Sequence, residues 1–308
     1  MKSIDDDKME EVLSWCASVL GPFEVVSEDS RAHPGQRAST LRLRTSSGIC
    51  YVKTHRDRSH WDSEVHGYEQ WSPAFGDFTP KLLAVRDEEP LALVISELPG
   101  KILDEVELST VQACEVWRSA GRALATLHNH AIGEYFGPCR RDGVCAGKPI
   151  EDAREYVLTD INNWLVRGRR GSYLNKDDLT IVAAANEWVP AFEGERPVAC
   201  HRDYGPANWL VSSDGVWTGV IDFEFSYWDV RATDFARYPN WEWIDQPERI
   251  GAFFEGYGRS FTPREEQQRL VAQALYALGA IVWGMENAYY SFAREGRRAL
   301  QTLKGRLK

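Results

Sequence analysis

The sequence predicts an α+β chain with a strand-rich first third and a mainly helical remainder. Three observations predict it. Short apolar runs bounded by turn residues crowd residues 23–96. From residue 109 onward, apolar side chains recur every three or four positions, the helical period. Between the later helices lies one polar segment, His201-Arg202-Asp203-Tyr204-Gly205-Pro206-Ala207-Asn208, followed at once by a β-like run.

Val12, Leu13, Trp15, Cys16, Val19 and Leu20 set a helix over 9–20, and Gly21-Pro22 stops it. Phe23 to Val26 opens a strand, and 27–36 is a polar turn with one glycine, Gly35. Residues 38–44 alternate with period two, Ser46-Ser47-Gly48 turns, and Ile49 to Lys53 returns, which predicts a hairpin. A helix is expected over 59–71, and strands over 81–85 and 91–95. Ser96-Glu97-Leu98-Pro99-Gly100 then joins five strands to the helical part.

Val111, Cys114, Trp117, Ala120, Leu124 and Leu127 predict one helix over 109–129, capped by Ser109 or Thr110. Residues 133–149, with glycines at 133, 137, 143 and 147, form a loop long enough to be functional or mobile. Helices are expected over 151–166 and 176–192, and a short strand over 197–200. A hairpin turns at Ser213-Asp214-Gly215 and ends in Val220-Ile221-Asp222. Asp229 to Ala236 should open a helix; 246–259 and 263–292 should be helical, the latter with Thr262 as cap and Pro263 first. A basic helix over about 296–307 closes the chain.

At 308 residues the chain suits about two domains, here 1–98 and 99–308. A net charge of −10 argues against a nucleic-acid surface, which needs basic patches. No apolar run approaches the ~20 residues of a membrane span, and the charged start offers no secretory signal. Six cysteines occur without a C-x-x-C pair. Cys139 and Cys145, with His128 and His130 upstream, match no metal spacing, so reduced thiols and a cytoplasmic setting are expected.

The segment at 201–208 reads H-x-D-x-x-x-x-N, and an apolar strand ending in Asp222 comes after it. The pattern resembles the catalytic loop and metal-binding strand of kinase-fold phosphotransferases. Phosphoryl transfer needs a hydroxyl placed in line with the γ-phosphate and cations that spread the developing charge. Asp203 can accept the hydroxyl proton. The oxygens of Asn208 and Asp222 suit Mg²⁺, a hard ion. His201 is read as an orienter of the loop backbone. Lys53 ends a strand, as an ATP-positioning lysine does, with Glu64 as its ion-pair partner and Glu69 as the competitor. Backbone groups of Ser96 and Leu98 in the hinge would meet the adenine edge. Asp234 is read as structural, either anchoring the loop or as a first-turn acid. His128 is read as a satisfied structural histidine.

Lys53, Glu64, His201-Arg202-Asp203…Asn208 and Ile221-Asp222-Phe223-Glu224…Asp234 together resemble the aminoglycoside phosphotransferase and choline kinase family. The resemblance spans roughly residues 20–300. It implies a bilobal protein-kinase-like fold, ATP (or GTP) and Mg²⁺ as cofactors, Asp203 as catalytic base, Asn208 and Asp222 as metal ligands, and Lys53 on the triphosphate. Arg202 departs from the glycine common at that position. The eleven residues between Asp222 and Asp234 leave no room for an activation segment, so Arg202 is expected to make a local contact.

The acceptor side should lie beyond the metal strand. Phe225, Tyr227, Trp228, Tyr238, Trp241, Trp243, Trp283, Tyr289 and Tyr290 are aromatic there, with Glu242, Asp245 and Glu286 interleaved. The tail from Arg294 to Lys308, with six basic residues and one acid, speaks against a polycationic acceptor. The expected function is phosphorylation of a small-molecule hydroxyl, with an antibiotic first. A metabolic kinase for choline, a sugar or an amino-sugar is the alternative, and a non-catalytic nucleotide-binding regulator comes last. The expected assembly is a monomer or homodimer.

Overall fold

A computed structural model describes residues 6–29, 38–236 and 246–307. Helix α1 (Asp6–Leu20) precedes strand β1 (Phe23–Glu28), and the hairpin of β2 (Ala38–Thr45) and β3 (Gly48–His55) comes next. Helix α2 (Arg58–His66), β4 (Leu82–Arg86) and β5 (Leu91–Ser96) complete the first lobe. The strands form one antiparallel sheet in the order β1-β2-β3-β5-β4. The predicted turn at 27–36, from residue 30 on, lies outside the described residues.

Period-two alternation gives this sheet two buried faces. Val52, Ala92 and Val94 meet Val12 and Cys16 of α1 on one side. Leu91, Leu93 and Ile95 meet Trp61 and Val65 of α2 on the other. That second cluster continues into the helical lobe through Trp117, Leu124, Trp209 and Phe253, so one core joins the two lobes.

The helical lobe contains β6 (Lys101–Ile102), α3 (Thr110–His130), α4 (Ala153–Arg170), α5 (Lys176–Asn186) and β7 (Val198–Cys200). It continues with β8 (Trp209–Val211), β9 (Trp217–Val220), β10 (Tyr227–Asp229), α6 (Pro247–Tyr257), α7 (Pro263–Glu286) and α8 (Tyr290–Thr302). Ser109 caps α3 and Thr262 caps α7, each in a capping box. Among the described residues no helix is long and apolar enough to cross a membrane.

Several boundaries differ from the sequence reading; the last helix, expected over about 296–307, runs from Tyr290 to Thr302. The helix expected over 59–71 ends at His66 and continues as a wider turn, Gly67–Trp71. There Gly67 lies against Phe223: a Cβ at Gly67 would stand 2.7 Å from the Phe223 Cβ. The helix expected over 176–192 stops at Asn186, and Pro190 sits in a separate short turn, Val189–Phe192. Asp229 is in a strand rather than a helix, because Tyr227–Asp229 pairs with β7; residues 231–235 form only a 3₁₀ turn. The helix expected over 263–292 breaks at Asn287, and Ala288 (φ 56) reverses the chain so that α8 packs back on α7.

Helices α3 and α6 approach closely through glycine. A Cβ at Gly256 would lie 1.8 Å from the Arg118 carbonyl oxygen, and one at Gly121 2.1 Å from that of Phe253. No flexible side chain can yield there, because the obstacles are backbone. Gly256→Val is expected to destabilise the protein by about 1–3 kcal/mol or more, read as a lower midpoint in urea unfolding.

Candidate active site

Strand β7 delivers the chain to His201, and a buried carboxylate fixes the loop beyond it. Asp234 accepts hydrogen bonds from the backbone N–H of His201 at 3.0 Å and of Arg202 at 2.5 Å. Its Oδ2 also lies 2.9 Å from His128 Nε2, and His128 Nδ1 lies 2.8 Å from the Tyr257 hydroxyl. Burial pushes the Asp234 pKa up, but the His128 hydrogen bond and nearby positive charge outweigh it and hold the carboxyl below its ordinary value. Burial pulls His128 below the usual imidazole value despite its acidic partner. Asp234 thus anchors the loop and His128 is satisfied, as expected.

Two non-glycine residues here adopt left-handed backbone, Arg202 at φ 63 and Asp222 at φ 73. Such positions cost roughly 1–3 kcal/mol each and persist where the surroundings over-determine them. The two bonds to Asp234 do this on the loop side. On the other side His201 Nε2 meets Ile221 O at 3.0 Å, next to Asp222, while His201 Nδ1 accepts the Asp203 N–H at 3.3 Å. His201 therefore orients backbone, and its two contacts require the proton on Nε2.

Asn208 Nδ2 donates to the Asp203 carbonyl at 2.9 Å and to Asp203 Oδ2 at 2.7 Å. Both amide hydrogens are thereby used, and the amide oxygen has no hydrogen-bond partner among the described residues. Ile221 N donates to Asn208 O at 3.0 Å, which sets Asp222 beside Asn208. Asp222 Oδ1 accepts from Lys53 Nζ at 2.7 Å, and the Asp222 side chain is 30% exposed. It stands just past the end of β9, not within a strand.

Lys53 Nζ is enclosed by three carboxylates: Asp222 at 2.7 Å, Glu64 at 2.9 Å and Glu224 at 3.1 Å. Burial would lower the lysine pKa, but these acids raise it well above its ordinary value. Asp222 is raised by burial and lowered further by Lys53, so it stays ionised. Glu224 ends above the usual range, because burial and its acidic neighbours outweigh Lys53. His55 Nε2 lies 2.7 Å from Glu64 Oε2 and buttresses that carboxylate. One ammonium among three carboxylates leaves surplus negative charge. With the free amide oxygen of Asn208, this all-oxygen donor set fits a hard divalent cation.

Glu64, not Glu69, is the partner of Lys53. Glu69 pairs instead with Arg141 at 2.6 Å. In the hinge, Ser96 N donates to Lys81 O and Glu97 N to Ile49 O, whereas the Leu98 N–H has no hydrogen-bond partner among the described residues. Arg202 makes local contacts, with Nε 2.9 Å from Asp229 Oδ2 and its guanidinium 4.2 Å from the Tyr227 ring centroid. Burial pushes the Asp229 carboxyl up to about 6, even though the Arg202 guanidinium beside it pulls the other way.

Of the expected acceptor residues, Tyr238, Trp241, Glu242, Trp243 and Asp245 lie outside the described residues. Trp228 packs edge-on against Trp71, and Trp283 against Tyr289 and Phe292, so both are packing residues. Glu286 pairs with Arg167. The basic tail is similarly engaged: Arg297 meets Asp178 at 3.2 Å, and Lys304 meets Asp177 at 3.2 Å.

Sequence reasoning missed His55, Glu224 and Arg141. His55 stands two residues past Lys53 on one strand, hence on the same face, and that spacing was the available signal. Glu224 was visible in the motif without a role. Arg141 reaches Glu69, in the turn after α2, across 72 residues of sequence, and no local pattern announces it.

The family model described as "Phosphotransferase enzyme family" matches residues 30–269. The chain belongs to that family. This phosphotransferase is also similar in fold to solved aminoglycoside kinases. A thermostable mutant of aminoglycoside phosphotransferase APH(4)-Ia, in ternary complex with ADP and hygromycin B, superposes with a TM-score of 0.73 at 13% identity, over 95% of this chain and 97% of that one. The GDP and kanamycin complex of APH(2")-IIia gives a TM-score of 0.70 at 12% identity, over 96% and 99%. The fold is therefore the bilobal kinase-like one, with a β-sheet lobe and a helical lobe. A homoserine kinase of Phenylobacterium zucineum (strain HLK1) is 32% identical over 183 residues, 57% of this chain. The match spans about half of that enzyme's length, 48%.

Lys53→Met should strand the three carboxylates and cost about 3–5 kcal/mol of stability at neutral pH. The deficit relative to wild type should shrink as pH falls and the acids take protons, which urea unfolding at two pH values would measure. The His128–Asp234 pair predicts acid lability. Both folded-state pKa values are depressed, so the pair's stabilisation is complete above the ordinary imidazole value of 6.5 and declines as pH falls below it. Tm should drop with pH in that window, and His128→Gln should flatten the slope.

Proposed function

We propose that this phosphotransferase moves the γ-phosphoryl group of ATP, or of GTP, to a hydroxyl of a small molecule, with Mg²⁺ as its metal. What carries the reading is the chain of contacts that joins Asp203 to Asn208, Asn208 to the Ile221-Asp222 backbone, and Asp222 to Lys53. In this reading Asp203 takes the hydroxyl proton and aims the attacking oxygen. Asn208 Oδ1 and Asp222 hold Mg²⁺, with Glu224 beside them. The metal, when bound, spreads the charge that develops on the transferring phosphoryl group. Lys53, oriented by Glu64, takes the phosphates. The Leu98 N–H and the Ser96 carbonyl meet the adenine edge. Residues 1–98 then serve as the nucleotide lobe and 99–308 as the catalytic and acceptor lobe. The enzyme would work in the cytoplasm, as a monomer or homodimer.

Two acceptor classes fit this chemistry. An antibiotic hydroxyl was the first expectation from the sequence, and the family and fold are compatible with it. The 32% identity to a homoserine kinase supports the metabolic alternative, and we place a small hydroxylated amino acid first on that ground. A non-catalytic regulator is disfavoured, since the lysine and every expected oxygen ligand are present.

The test is ADP release from Mg·ATP against homoserine, choline, an amino-sugar, hygromycin B and kanamycin, with mass spectrometry of the acceptor. One acceptor should gain a phosphoryl group. Asp203→Asn should keep nucleotide affinity and lose about 10²–10⁴-fold in kcat, the usual weight of a general base. Lys53→Ala should mainly raise the KM for ATP. Mg·ATP binding without turnover on any acceptor would sink the enzyme reading, and near-normal kcat in Asp203→Asn would sink the base.

A further inference from the structure

Residues 139–145 form a small hairpin beside α2. Arg140 N donates to Val144 O at 2.8 Å and Ala146 N to Pro138 O at 3.0 Å. These bonds flank Cys139 and Cys145, which face each other as an antiparallel bridge. The two cysteines therefore occupy a non-hydrogen-bonded position, where opposed Cα atoms lie about 4.5 Å apart and side chains are closest. A disulfide accepts Cα separations of about 4.4–6.8 Å. Both residues carry free thiols in the structure, Cys139 buried and Cys145 half-exposed. Cys16 and Cys50 also neighbour each other beneath α1, but both are buried in that core.

The hairpin has a defined task. Its turn, closed by Gly143 N to Arg140 O at 2.9 Å with Gly143 at φ 82, presents Arg141 to α2 and the turn after it. Arg141 meets Glu69 through Nε at 3.1 Å and Nη2 at 2.6 Å. Its backbone N donates to Asp62 Oδ1 at 3.3 Å, and its carbonyl lies 3.1 Å from His66 Nδ1. Asp62 and His66 flank Glu64, the partner of Lys53, on the same helix.

We propose that Cys139 and Cys145 are a reversible thiol–disulfide site, oxidised by a small-molecule disulfide. The Cys145 thiolate attacks one sulfur of that molecule and expels the first thiolate. Cys139, after losing its proton to solvent, attacks the Cys145 sulfur and expels the second. One disulfide bond is broken and one is made; the cysteines give up two electrons and two protons, and the small disulfide leaves as two thiols. Burial pushes the Cys139 thiol up to about 12, which makes Cys145 the entry point. The bridge ties the neck of the hairpin and steadies Arg141 on α2. Any effect on nucleotide affinity rests on the proposed function; bond formation does not.

The experiment treats the full chain with glutathione buffers of rising oxidised fraction, then alkylates, digests with trypsin and maps the cysteines by mass. Trypsin cuts after Arg140 and Arg141, so a bridge must hold the Cys139 and Cys145 fragments together. That linked species, reversed by dithiothreitol and lost in Cys145→Ser, is the expected result. Glutathione resting on Cys145 without the link, or both thiols still alkylated in excess oxidant, would overturn the proposal. Hydrogen exchange supplies a readout that needs no substrate: amides of residues 58–66 should exchange several-fold more slowly in the oxidised chain, and unchanged rates would overturn the coupling to α2.

Discussion

The ammonium of Lys53 ties together three segments, two neighbouring in sequence and the third 169 residues on. It belongs to β3, Glu64 to α2, and Asp222 and Glu224 to the segment after β9. A buried cation in that position is tolerable only because the acids enclose it, and the acids are tolerable only because the cation is present. The arrangement holds α2 against the sheet and holds the Asp222 turn against both. Surplus negative charge remains, so the site is an attractive seat for a further cation.

Asp234 does the corresponding work below the loop at 201–208. Its carboxylate receives two successive backbone N–H groups where the chain takes left-handed geometry at Arg202. The cost of that backbone is met by charge-assisted hydrogen bonds in a dry surrounding, which are stronger than neutral ones. His201 then carries the constraint across to Ile221, so the loop and the Asp222 turn are set by one another. The strained residues and the candidate catalytic residues are immediate neighbours, Arg202 beside Asp203 and Asp222 itself. Pre-organisation of this kind suits a reaction that depends on positioning.

The hairpin at 139–145 adds a contact from the helical lobe to α2. Through Arg141 it grips Asp62, His66 and Glu69, while Glu64 serves Lys53. An open cavity of about 710 Å³ beside this contact is lined by Arg58, Asp62, His66, Glu69 and Arg141 among others, and by none of the expected site residues. The position of α2 is thus fixed from two directions, by the Lys53 cluster and by a loop from the other lobe.

The sequence by itself determined the five strands of the first lobe, the Ser109 and Thr262 helix starts, and the order of Lys53, Asp203, Asn208 and Asp222 along the chain. Those features rest on local physics: side-chain period, turn residues, capping hydroxyls, and oxygen donors at fixed offsets. It also pointed to Glu64 and left Glu69 open, because both lie on one expected helix; only the fold gave Glu69 to Arg141 and Glu64 to Lys53. Tertiary packing decided the rest. Asp229 reads as the start of a helix yet pairs as a strand, because β7 offers it an edge. The predicted helix over 263–292 breaks at Asn287, because the chain must reverse there to pack on itself. Glu224 and His55 acquire their roles only when β3, α2 and the Asp222 turn meet. No spacing rule within one segment can announce a charge balance assembled from three.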